Sequence, residues 1–306
     1  MNQKVNFFEG VMVPMITPAT QDGNIDEVHA AKMIRFLLDN NTIPFILGTT
    51  GEVASISIPQ REKLVRILLE NKRKEVPLVV GMGSLTVKET FELSNKFFAW
   101  GIDAVVLTIP NYFKLGDEQI FRYFENLAEK IDGKIILYNI PATTHNSIPI
   151  DVADRLSYLE NIVGIKDSEN NKSRLLKSLE LWQNREDFIH LVGVNDLMAT
   201  GLTMGSSGIV PSSANLVPHL YYQLFTETRA GNEQKVSEIQ ELTRAVTNVY
   251  KDDFLLGESL AALKYLLSEQ GHCLPYMFAP LCELDEVQKK CVKARWLELT
   301  DTVEKL

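Results

Sequence analysis

Short apolar stretches recur through the first two thirds of the chain, and a longer amphipathic segment separates each from the next. The stretches are four to seven residues long and rich in β-branched side chains, which favours buried strands over buried helices. We predict eight strands, over Gly10–Ile16, Ile43–Leu47, Pro77–Met82, Asp103–Thr108, Lys134–Asn139, Ile162–Lys166, Phe188–Val192 and Gly208–Pro211.

The segments between the strands have the apolar spacing of amphipathic helices. Thr86 and Asp117 stand where N-cap residues belong, and Glu89 follows Thr86 at capping-box spacing. In the helix after the second strand, the pattern places Arg61 on the solvent side. We predict helices over Asp26–Asn40, Gln60–Lys72, Thr86–Trp100 and Asp117–Ile131.

Strands that alternate with helices indicate a parallel sheet whose faces are covered by those helices. Eight such units within residues 1–230 match a TIM (β/α)8 barrel, and a doubly wound open sheet is the alternative. No strand is predicted from residue 231 onward. Residues 231–306 are expected to form a C-terminal helical extension packed on the barrel, with helices over Glu233–Tyr250, Glu258–Ser268 and Leu284–Val303.

Composition and charge narrow the class of protein. The 306 residues carry 31 basic and 40 acidic side chains, a net charge of −9, and an acidic surface repels nucleic acid. The sequence shows neither a secretory signal at its start nor an apolar run long enough to span a membrane. Its three cysteines lack metal-binding spacing and are expected to be reduced thiols, which predicts a cytoplasmic location.

Lys166 is the most unusual residue at a predicted strand end. In a TIM barrel the active site lies at the carboxyl ends of the strands, and Lys166 closes an apolar strand there. Desolvation favours the neutral amine, which can attack a ketone and form a Schiff base. The alternative is a structural lysine that reaches solvent or pairs with Asp167. Strand periodicity places Ser168 on the same face as Lys166 and Asp167 on the other.

Two further strand ends carry candidate chemistry. Tyr138 ends the fifth strand and is either a proton donor and acceptor or an aromatic plug. After the second strand, Gly48 and Gly51 bracket Thr49 and Thr50. Such a loop can bind a carboxylate through successive backbone N–H groups, although a plain turn would carry the same residues. Glu52 is expected to cap the next helix or brace the loop.

The remaining candidates are weaker. Tyr112 follows the fourth strand and is interpreted as a subunit contact or a proton relay. The five histidines are scattered without metal-ligand spacing, and the chain has neither a complete dinucleotide fingerprint nor a phosphate loop. We therefore predict no metal and no cofactor.

Three motifs occur together in barrel order: Gly48–Glu52 after the second strand, Tyr138–Pro141 at the fifth and Gly164–Asp167 at the sixth. With Gly208–Asn215 at the eighth, they resemble the Schiff-base lyase family of dihydrodipicolinate synthase, N-acetylneuraminate lyase and 2-keto-3-deoxygluconate aldolase. The resemblance covers the barrel and the helical tail. It implies a TIM barrel, a 2-keto acid (pyruvate) and an aldehyde as ligands, and a homotetramer of two tight dimers.

The resemblance also implies roles for individual residues. Lys166 resembles the Schiff-base lysine and Tyr138 the proton-transferring tyrosine, with Thr49 as a proton relay. Thr50 would bind the keto-acid carboxylate together with the Gly48–Gly51 backbone. Tyr112 resembles a tyrosine donated across the dimer. The remaining expected contacts to substrate are Val210 through its backbone, Gly193, Ser168 and Thr143.

Departures from the family pattern bear on the substrate. In dihydrodipicolinate synthases an arginine after the Tyr-Asn-x-Pro element binds a substrate carboxylate, whereas Ala142–His145 contains none. Asn111 replaces a tyrosine often found before Tyr112. Hydroxyls suited to a polyol are offered by Ser168, Thr143, Ser212 and Ser213.

We therefore expect cleavage of a 2-keto-3-deoxy sugar acid to pyruvate and an aldehyde. The alternatives are a dihydrodipicolinate synthase that condenses pyruvate with aspartate semialdehyde, or a keto-deoxy-acid dehydratase. A binding barrel that has lost its activity is the alternative of a different class.

Overall fold

The computed structural model describes residues 5–83 and 85–303, and its centre is a closed barrel of eight parallel strands arranged in chain order. All eight predicted strands and the predicted TIM barrel are confirmed, and the open-sheet alternative is wrong. The strands are β1 Gly10–Pro14, β2 Ile43–Ile46, β3 Val79–Gly81, β4 Ala104–Thr108, β5 Lys134–Asn139, β6 Ile162–Asp167, β7 Ile189–Val192 and β8 Gly208–Ile209.

Helices follow every strand and surround the barrel. Short 3-10 helices precede β1 and follow β2, β7 and β8, over Val5–Phe8, Val53–Ser55, Asn195–Leu197 and Ser212–Asn215. The α-helices are α1 Glu27–Asp39, α2 Ile58–Glu70, α3 Val87–Trp100, α4 Asp117–Ala128, α5 Pro141–Thr144, α6 Ile150–Leu156, α7 Lys172–Trp182, α8 Met198–Thr203, α9 Pro218–Ala230, α10 Glu233–Lys251, α11 Leu256–Glu269 and α12 Glu286–Val303.

Two apolar cores hold these layers together. One fills the space between the outer face of the barrel and the helices, and it extends to residues of α10, α11 and α12. The other fills the barrel interior, where Phe45, Ile136 and Leu191 are completely buried. The interior side chains form a packed core below the strand ends, so ligands can reach the barrel only at its mouth.

The helix starts are mostly as predicted. The Thr86 side chain accepts the backbone N–H of Glu89, and Glu89 accepts the backbone N–H of Thr86, so the capping box is present. The prediction of Asp117 as an N-cap is wrong. The helix already includes Asp117, and Gly116 is the cap, its N–H donating to the side chain of Gln119.

Arg61 corrects another prediction. It lies on α2 but is only 3% exposed. Its guanidinium donates to the carbonyl oxygens of Ile56, Gly83 and Val53. Burial lowers the pKa of Arg61 to about 10, partly opposed by the carboxylate of Glu89. Helical periodicity misplaces Arg61 because it treats a charged side chain as exposed. The buried guanidinium instead donates hydrogen bonds to loop carbonyl oxygens, which an apolar side chain could not do.

The helices expected after residue 231 are all present. Helix α10 packs against α9, α11 and α12, while the division at residues 230 and 231 stays a prediction. Across residues 5–83 and 85–303, the structure contains no helix that combines the length and apolarity needed to cross a bilayer.

Candidate active site

Strand pairing places a phenol beside an amine at the mouth of the barrel. In the register between β5 and β6, Tyr138 pairs with Lys166 and Asn139 pairs with Asp167. Because side chains alternate along a strand, the first pair points into the barrel and the second points outward. The Nζ atom of Lys166 lies 3.9 Å from the centroid of the Tyr138 ring and 5.3 Å from that of Phe45.

The phenol of Tyr138 is the centre of a polar cluster. Its hydroxyl lies close to the side chains of Lys166, Thr49 and Ser168, each of which can donate a hydrogen bond to it. Burial by itself raises the pKa of Tyr138, but the nearby ammonium of Lys166 and these hydrogen bonds outweigh it, so the pKa lies below its ordinary value. A phenol with a lowered pKa can give up and take back a proton more readily than a free tyrosine.

Lys166 is 4% exposed, and the structure separates it from its neighbouring carboxylate. Asp167 accepts hydrogen bonds from Arg174 Nε at 2.6 Å and Asn139 Nδ2 at 2.9 Å, on the outer side of the strand. The alternative in which Asp167 pairs with Lys166 is therefore wrong. The outer network holds β5 and β6 in register behind the amine.

The loop after β2 has an unusual backbone. Leu47 and Glu52 at its ends both have positive φ angles, 58° and 57°, which a side chain makes costly and which occur where the surroundings impose them. A Cβ on Gly51 would lie 2.9 Å from the carbonyl oxygen of Met15. Between these points, Thr50 is buried and Thr49 is half-buried against the phenol.

Glu52 braces this loop and does not cap a helix with its side chain. Its side chain makes no capping hydrogen bond to the 3-10 helix Val53–Ser55. It instead forms a buried ion pair with Lys264 of α11. Sequence reasoning missed Lys264, although a lone charge within the apolar stretch Leu260–Leu267 is a signal that a buried partner exists.

The loops after β7 and β8 complete the rim. Gly193 donates its N–H to the carbonyl oxygen of Asp167 at 2.7 Å, and Val210 donates to Val192 at 2.8 Å. A Cβ on Gly193 would lie 2.1 Å from Oγ of Ser168. Glycine at this position therefore leaves the space in which the Ser168 hydroxyl reaches Tyr138.

The expectation that Ser212 and Ser213 face a polyol needs correction. Ser212 Oγ is hydrogen-bonded to the Tyr250 hydroxyl at 2.7 Å. Ser213 is buried, and its hydroxyl is bonded to those of Tyr221 and Thr247. Both hydroxyls belong to an internal network that joins the loop after β8 to α9 and α10, and the sequence pattern contains no sign of these distant partners.

A cavity of about 760 Å³ adjoins the cluster. It lies between the loops after β2 to β5 and the start of α11, and Thr49 and Thr143 are in its lining whereas Lys166 and Tyr138 are not. Tyr112, on the loop after β4, is 87% exposed and makes an edge contact with Phe113. Within one chain, therefore, Tyr112 does not join the phenol and amine.

One more charge contributes to the electrostatics of the site. Lys251, at the end of α10, lies within electrostatic range of the Tyr138 phenol, and sequence reasoning missed it because it stands far along the chain in the helical extension. Among the residues that the structure describes, no group of three or more His, Cys, Asp or Glu side chains could hold a metal ion.

Comparison with known proteins agrees with this geometry. The family described as "Dihydrodipicolinate synthetase family" matches residues 7–297. A 4-hydroxy-tetrahydrodipicolinate synthase of Alkalilimnicola ehrlichii is 29% identical over 94% of this chain and 97% of its own. An uncharacterised DapA-like lyase of Pyrococcus horikoshii is 31% identical, covering 92% and 98%.

A solved structure is similar over nearly its whole length. YagE, a prophage protein of Escherichia coli K12 crystallised in complex with pyruvate, superimposes with a TM-score of 0.89 at 26% identity, covering 95% of this chain and 98% of its own. The chain belongs to the dihydrodipicolinate synthetase family and is a pyruvate-dependent lyase of the class I, Schiff-base type.

Proposed function

We propose that this enzyme cleaves a 2-keto-3-deoxy sugar acid to pyruvate and an aldehyde through a Schiff base on Lys166. The observation that carries the proposal is the contact between the Lys166 amine and the Tyr138 phenol, at 3.9 Å from ring centroid to Nζ. An electron-accepting imine and a proton-transferring group are the two components that aldol cleavage requires. Both stand on neighbouring strands at the barrel mouth.

The reaction begins at the keto group. The amine of Lys166 attacks C2, and water leaves with a proton donated by Tyr138, which gives an iminium and a phenolate. Thr50 and the backbone N–H groups of Gly48–Gly51 hold the C1 carboxylate, which aligns C2 with the amine. The iminium then accepts the electron pair of the C3–C4 bond as that bond breaks.

Tyr138 receives the proton that cleavage releases. Its phenolate takes the proton of the C4 hydroxyl, and the aldehyde leaves with a new C=O bond. The remaining enamine is protonated at C3, and water hydrolyses the iminium to pyruvate and free Lys166. Thr49, whose side chain lies close to the phenol, passes the proton onward with Tyr112 of a second copy.

Support for a hydroxylated substrate comes from the loop after β5. The segment Ala142–His145 carries no arginine, so the bidentate capture of a second carboxylate is lost there. Thr143 lines the adjoining cavity, and the Ser168 side chain lies close to the phenol. These two hydroxyls, with Gly193 and Val210 on the loops after β7 and β8, are the proposed contacts to the substrate.

A second candidate is the condensation of pyruvate with aspartate semialdehyde. It is favoured by the names of full-length relatives that are 4-hydroxy-tetrahydrodipicolinate synthases. Dehydration of a keto-deoxy acid would use the same imine. The three reactions share every step up to the iminium and differ in what leaves or adds at C3 and C4.

The proposed assembly is a homotetramer, and the support is exposed aromatic surface. Tyr112 and Phe113 are 87% and 68% exposed on one loop beside the site, and large exposed apolar side chains mark contact surfaces. Sedimentation analysis of the wild type and of Tyr112→Ser would test whether this loop lies between copies.

Borohydride trapping tests the chemistry. Wild-type protein reduced in the presence of pyruvate should carry one stable adduct, and peptide mapping should place it on Lys166. Lys166→Ala should lose both the adduct and turnover, whereas Lys172→Ala, which removes an exposed lysine at the start of α7, should keep both. Turnover by Lys166→Ala at the wild-type rate would refute the mechanism.

Substrate choice is decided on the same preparations. We expect pyruvate release from 2-keto-3-deoxy sugar acids to exceed, in kcat/KM, condensation with aspartate semialdehyde. The opposite order would show that the missing arginine is not the determinant of specificity. Formation of a 2,5-diketo product without pyruvate release would identify the dehydratase.

A further inference from the structure

A buried ion pair joins the active-site loop to the C-terminal helices. The side chains of Glu52 and Lys264 are each 1% exposed, and they lie 212 residues apart in sequence. Glu52 contacts Lys264 through Oε1 and accepts the backbone N–H of Phe278 through Oε2 at 2.9 Å. Lys264 Nζ also donates to the carbonyl oxygen of Tyr276 at 2.9 Å.

Burying an ion pair costs free energy, so its presence beside the active-site loop calls for an explanation. Two charges withdrawn from water lose their hydration, and well-packed apolar side chains are often as stabilising as the pair that they replace. Charged hydrogen-bonding groups add geometric specificity, because an ion pair with two further backbone partners permits only one arrangement of the side chains. Glu52 and Lys264 therefore fix the position of the loop more narrowly than apolar packing would.

The loop needs that support. Glu52 has a φ angle of 57° without being a glycine, a conformation that persists where the surroundings hold it. Its backbone N–H donates to the carbonyl oxygen of Thr49 at 3.0 Å. A shift of the Glu52 backbone would therefore displace Thr49 through this hydrogen bond. The side chain of Thr49 contacts the Tyr138 phenol.

A second buried cation holds the next part of the same segment. Arg61 donates to Val53 and Ile56 beyond the ion pair, and Thr17 Oγ1 donates to the carbonyl oxygen of Gly51 at 2.7 Å. These contacts do not involve Glu52 or Lys264. They would keep the segment folded while the ion pair is altered. An experiment can therefore distinguish displacement of the loop from loss of its folding.

We propose that the Glu52–Lys264 ion pair is a positioning device through which α11 holds the hydroxyls of Thr49 and Thr50 against Tyr138 and the keto-acid carboxylate. The inference rests on the proposed Schiff-base function. Neither residue touches the reacting atoms, and both act through the loop. The C-terminal helices thereby contribute to catalysis without supplying a reactive group.

The test uses three variants of the full-length enzyme. Glu52→Gln keeps the shape of the side chain and leaves the ammonium unpaired. Lys264→Met keeps most of the length and leaves the carboxylate unpaired. The double variant removes both charges, so it avoids a buried unpaired charge and guards against loss of folding. Lys293→Met, which breaks an exposed ion pair between α12 and Glu269 at the end of α11, is the matched control.

The decisive quantity is kcat per active site, with sites counted by borohydride trapping of pyruvate. We expect kcat per site of the double variant to fall at least about 10-fold while trapping at saturating pyruvate persists, because Thr49 is displaced and Lys166 is not. Lys293→Met should match the wild type. A double variant with wild-type kcat per site would overturn the inference, since a purely structural role changes only the number of sites.

A pH profile provides the second readout. The charged groups that face the Tyr138 phenol are the ammoniums of Lys166 and Lys251, and the hydrogen bond from Thr49 adds to their lowering of its pKa. Weakening that bond should move the acid limb of kcat to higher pH in Glu52→Gln and in the double variant. An unmoved limb in both would count against the inference, whereas absence of pyruvate trapping in the wild type would instead refute the proposed function.

Discussion

Tyr138 and Lys166 are direct register partners on neighbouring parallel strands, and the amine lies 3.9 Å from the centroid of the phenol ring. Backbone hydrogen bonds of β5 and β6 therefore set the separation of the two groups, and their side chains need little freedom to meet. A site built on strands is held more firmly than one built on loops. The pairing explains how an amine and a phenol remain in contact at a solvent-facing rim.

Removing the Tyr138 hydroxyl should separate imine formation from proton transfer. Tyr138→Phe keeps the ring beside the amine but loses the group that takes the C4 proton, so kcat should fall by roughly 10²- to 10⁴-fold. Borohydride trapping with pyruvate should persist, because Lys166 is intact. Steady-state kinetics and peptide mapping measure the two effects.

The control for this variant is Tyr158→Phe, which removes a phenol that is exposed on the surface and should leave both measurements unchanged. The acid limb of the kcat profile should also disappear in Tyr138→Phe, since the phenol with the lowered pKa sets it. A variant that keeps wild-type turnover would remove Tyr138 from the mechanism.

Gly193 should tolerate no side chain while Ser168 is present. In Gly193→Ala the new Cβ would lie 2.1 Å from Ser168 Oγ and 3.0 Å from the carbonyl oxygen of Asp167. Ser168 must turn away from Tyr138, and a displacement of this size can reduce turnover by about 10²-fold. We expect a large fall in kcat and only a small fall in the melting temperature.

A double-mutant cycle checks the cause of that loss. Ser168→Gly removes the Oγ and Cβ atoms that would lie 2.1 and 3.1 Å from the new Cβ, so adding it to Gly193→Ala should cost less than the sum of the two single changes. Gly116→Ala is the control, because the nearest atom to its Cβ would be 3.8 Å away. Strict additivity of the two changes would show that Gly193 acts independently of Ser168.

The barrel and its reactive pair were predictable because both depend on local pattern. Strand length and β-branched content located all eight strands, and parallel strands bring their carboxyl ends to one rim. The period of two then placed Lys166 and Ser168 on one face with Asp167 on the other. Each of these inferences needs only neighbours in sequence or in the sheet.

The parts that failed depend on distant partners. Arg61 was placed on the solvent side because helical periodicity treats a charge as exposed, yet it bonds to carbonyls of two loops. Ser213 was assigned to substrate, yet its partners are on α9 and α10. Lys264 finds Glu52 across 212 residues. A single sequence contains no periodicity that pairs such residues.

His190 should make folding stability depend on pH. Burial lowers its pKa to about 4. The carboxylate of Asp167 opposes this shift, and the guanidinium of Arg174 adds to it. Between pH 6.5 and 4 the unfolded chain binds a proton that the folded chain does not, so stability is full above pH 6.5 and is lost as pH falls toward 4. The total loss should be about 3 kcal/mol.

Denaturant unfolding at several pH values measures this dependence. The free energy of unfolding of His190→Gln should be lower than that of the wild type at pH 7.5 and should approach it at pH 4.5, since glutamine does not titrate. His145→Gln, an exposed histidine at the end of α5, should run parallel to the wild type. If the plot of unfolding free energy against pH for His190→Gln also runs parallel to that of the wild type, His190 is not the source of the pH dependence.

The three cysteines should divide into one inert and two reactive thiols. Cys273 is buried, and burial raises its pKa to about 12 despite the nearby ammonium of Lys264, whereas Cys282 and Cys291 are exposed. Because the thiolate is the reactive form, a disulfide reagent at pH 8 should modify two thiols per folded chain, and the third only after denaturation. The Cys282→Ser/Cys291→Ser variant should show no fast reaction, while Cys273→Ser should keep both fast thiols. Rapid modification of Cys273 in the folded enzyme would mean that the packing of α11 against the segment after it opens readily, and the ion pair between Lys264 and Glu52 could not then hold the active-site loop.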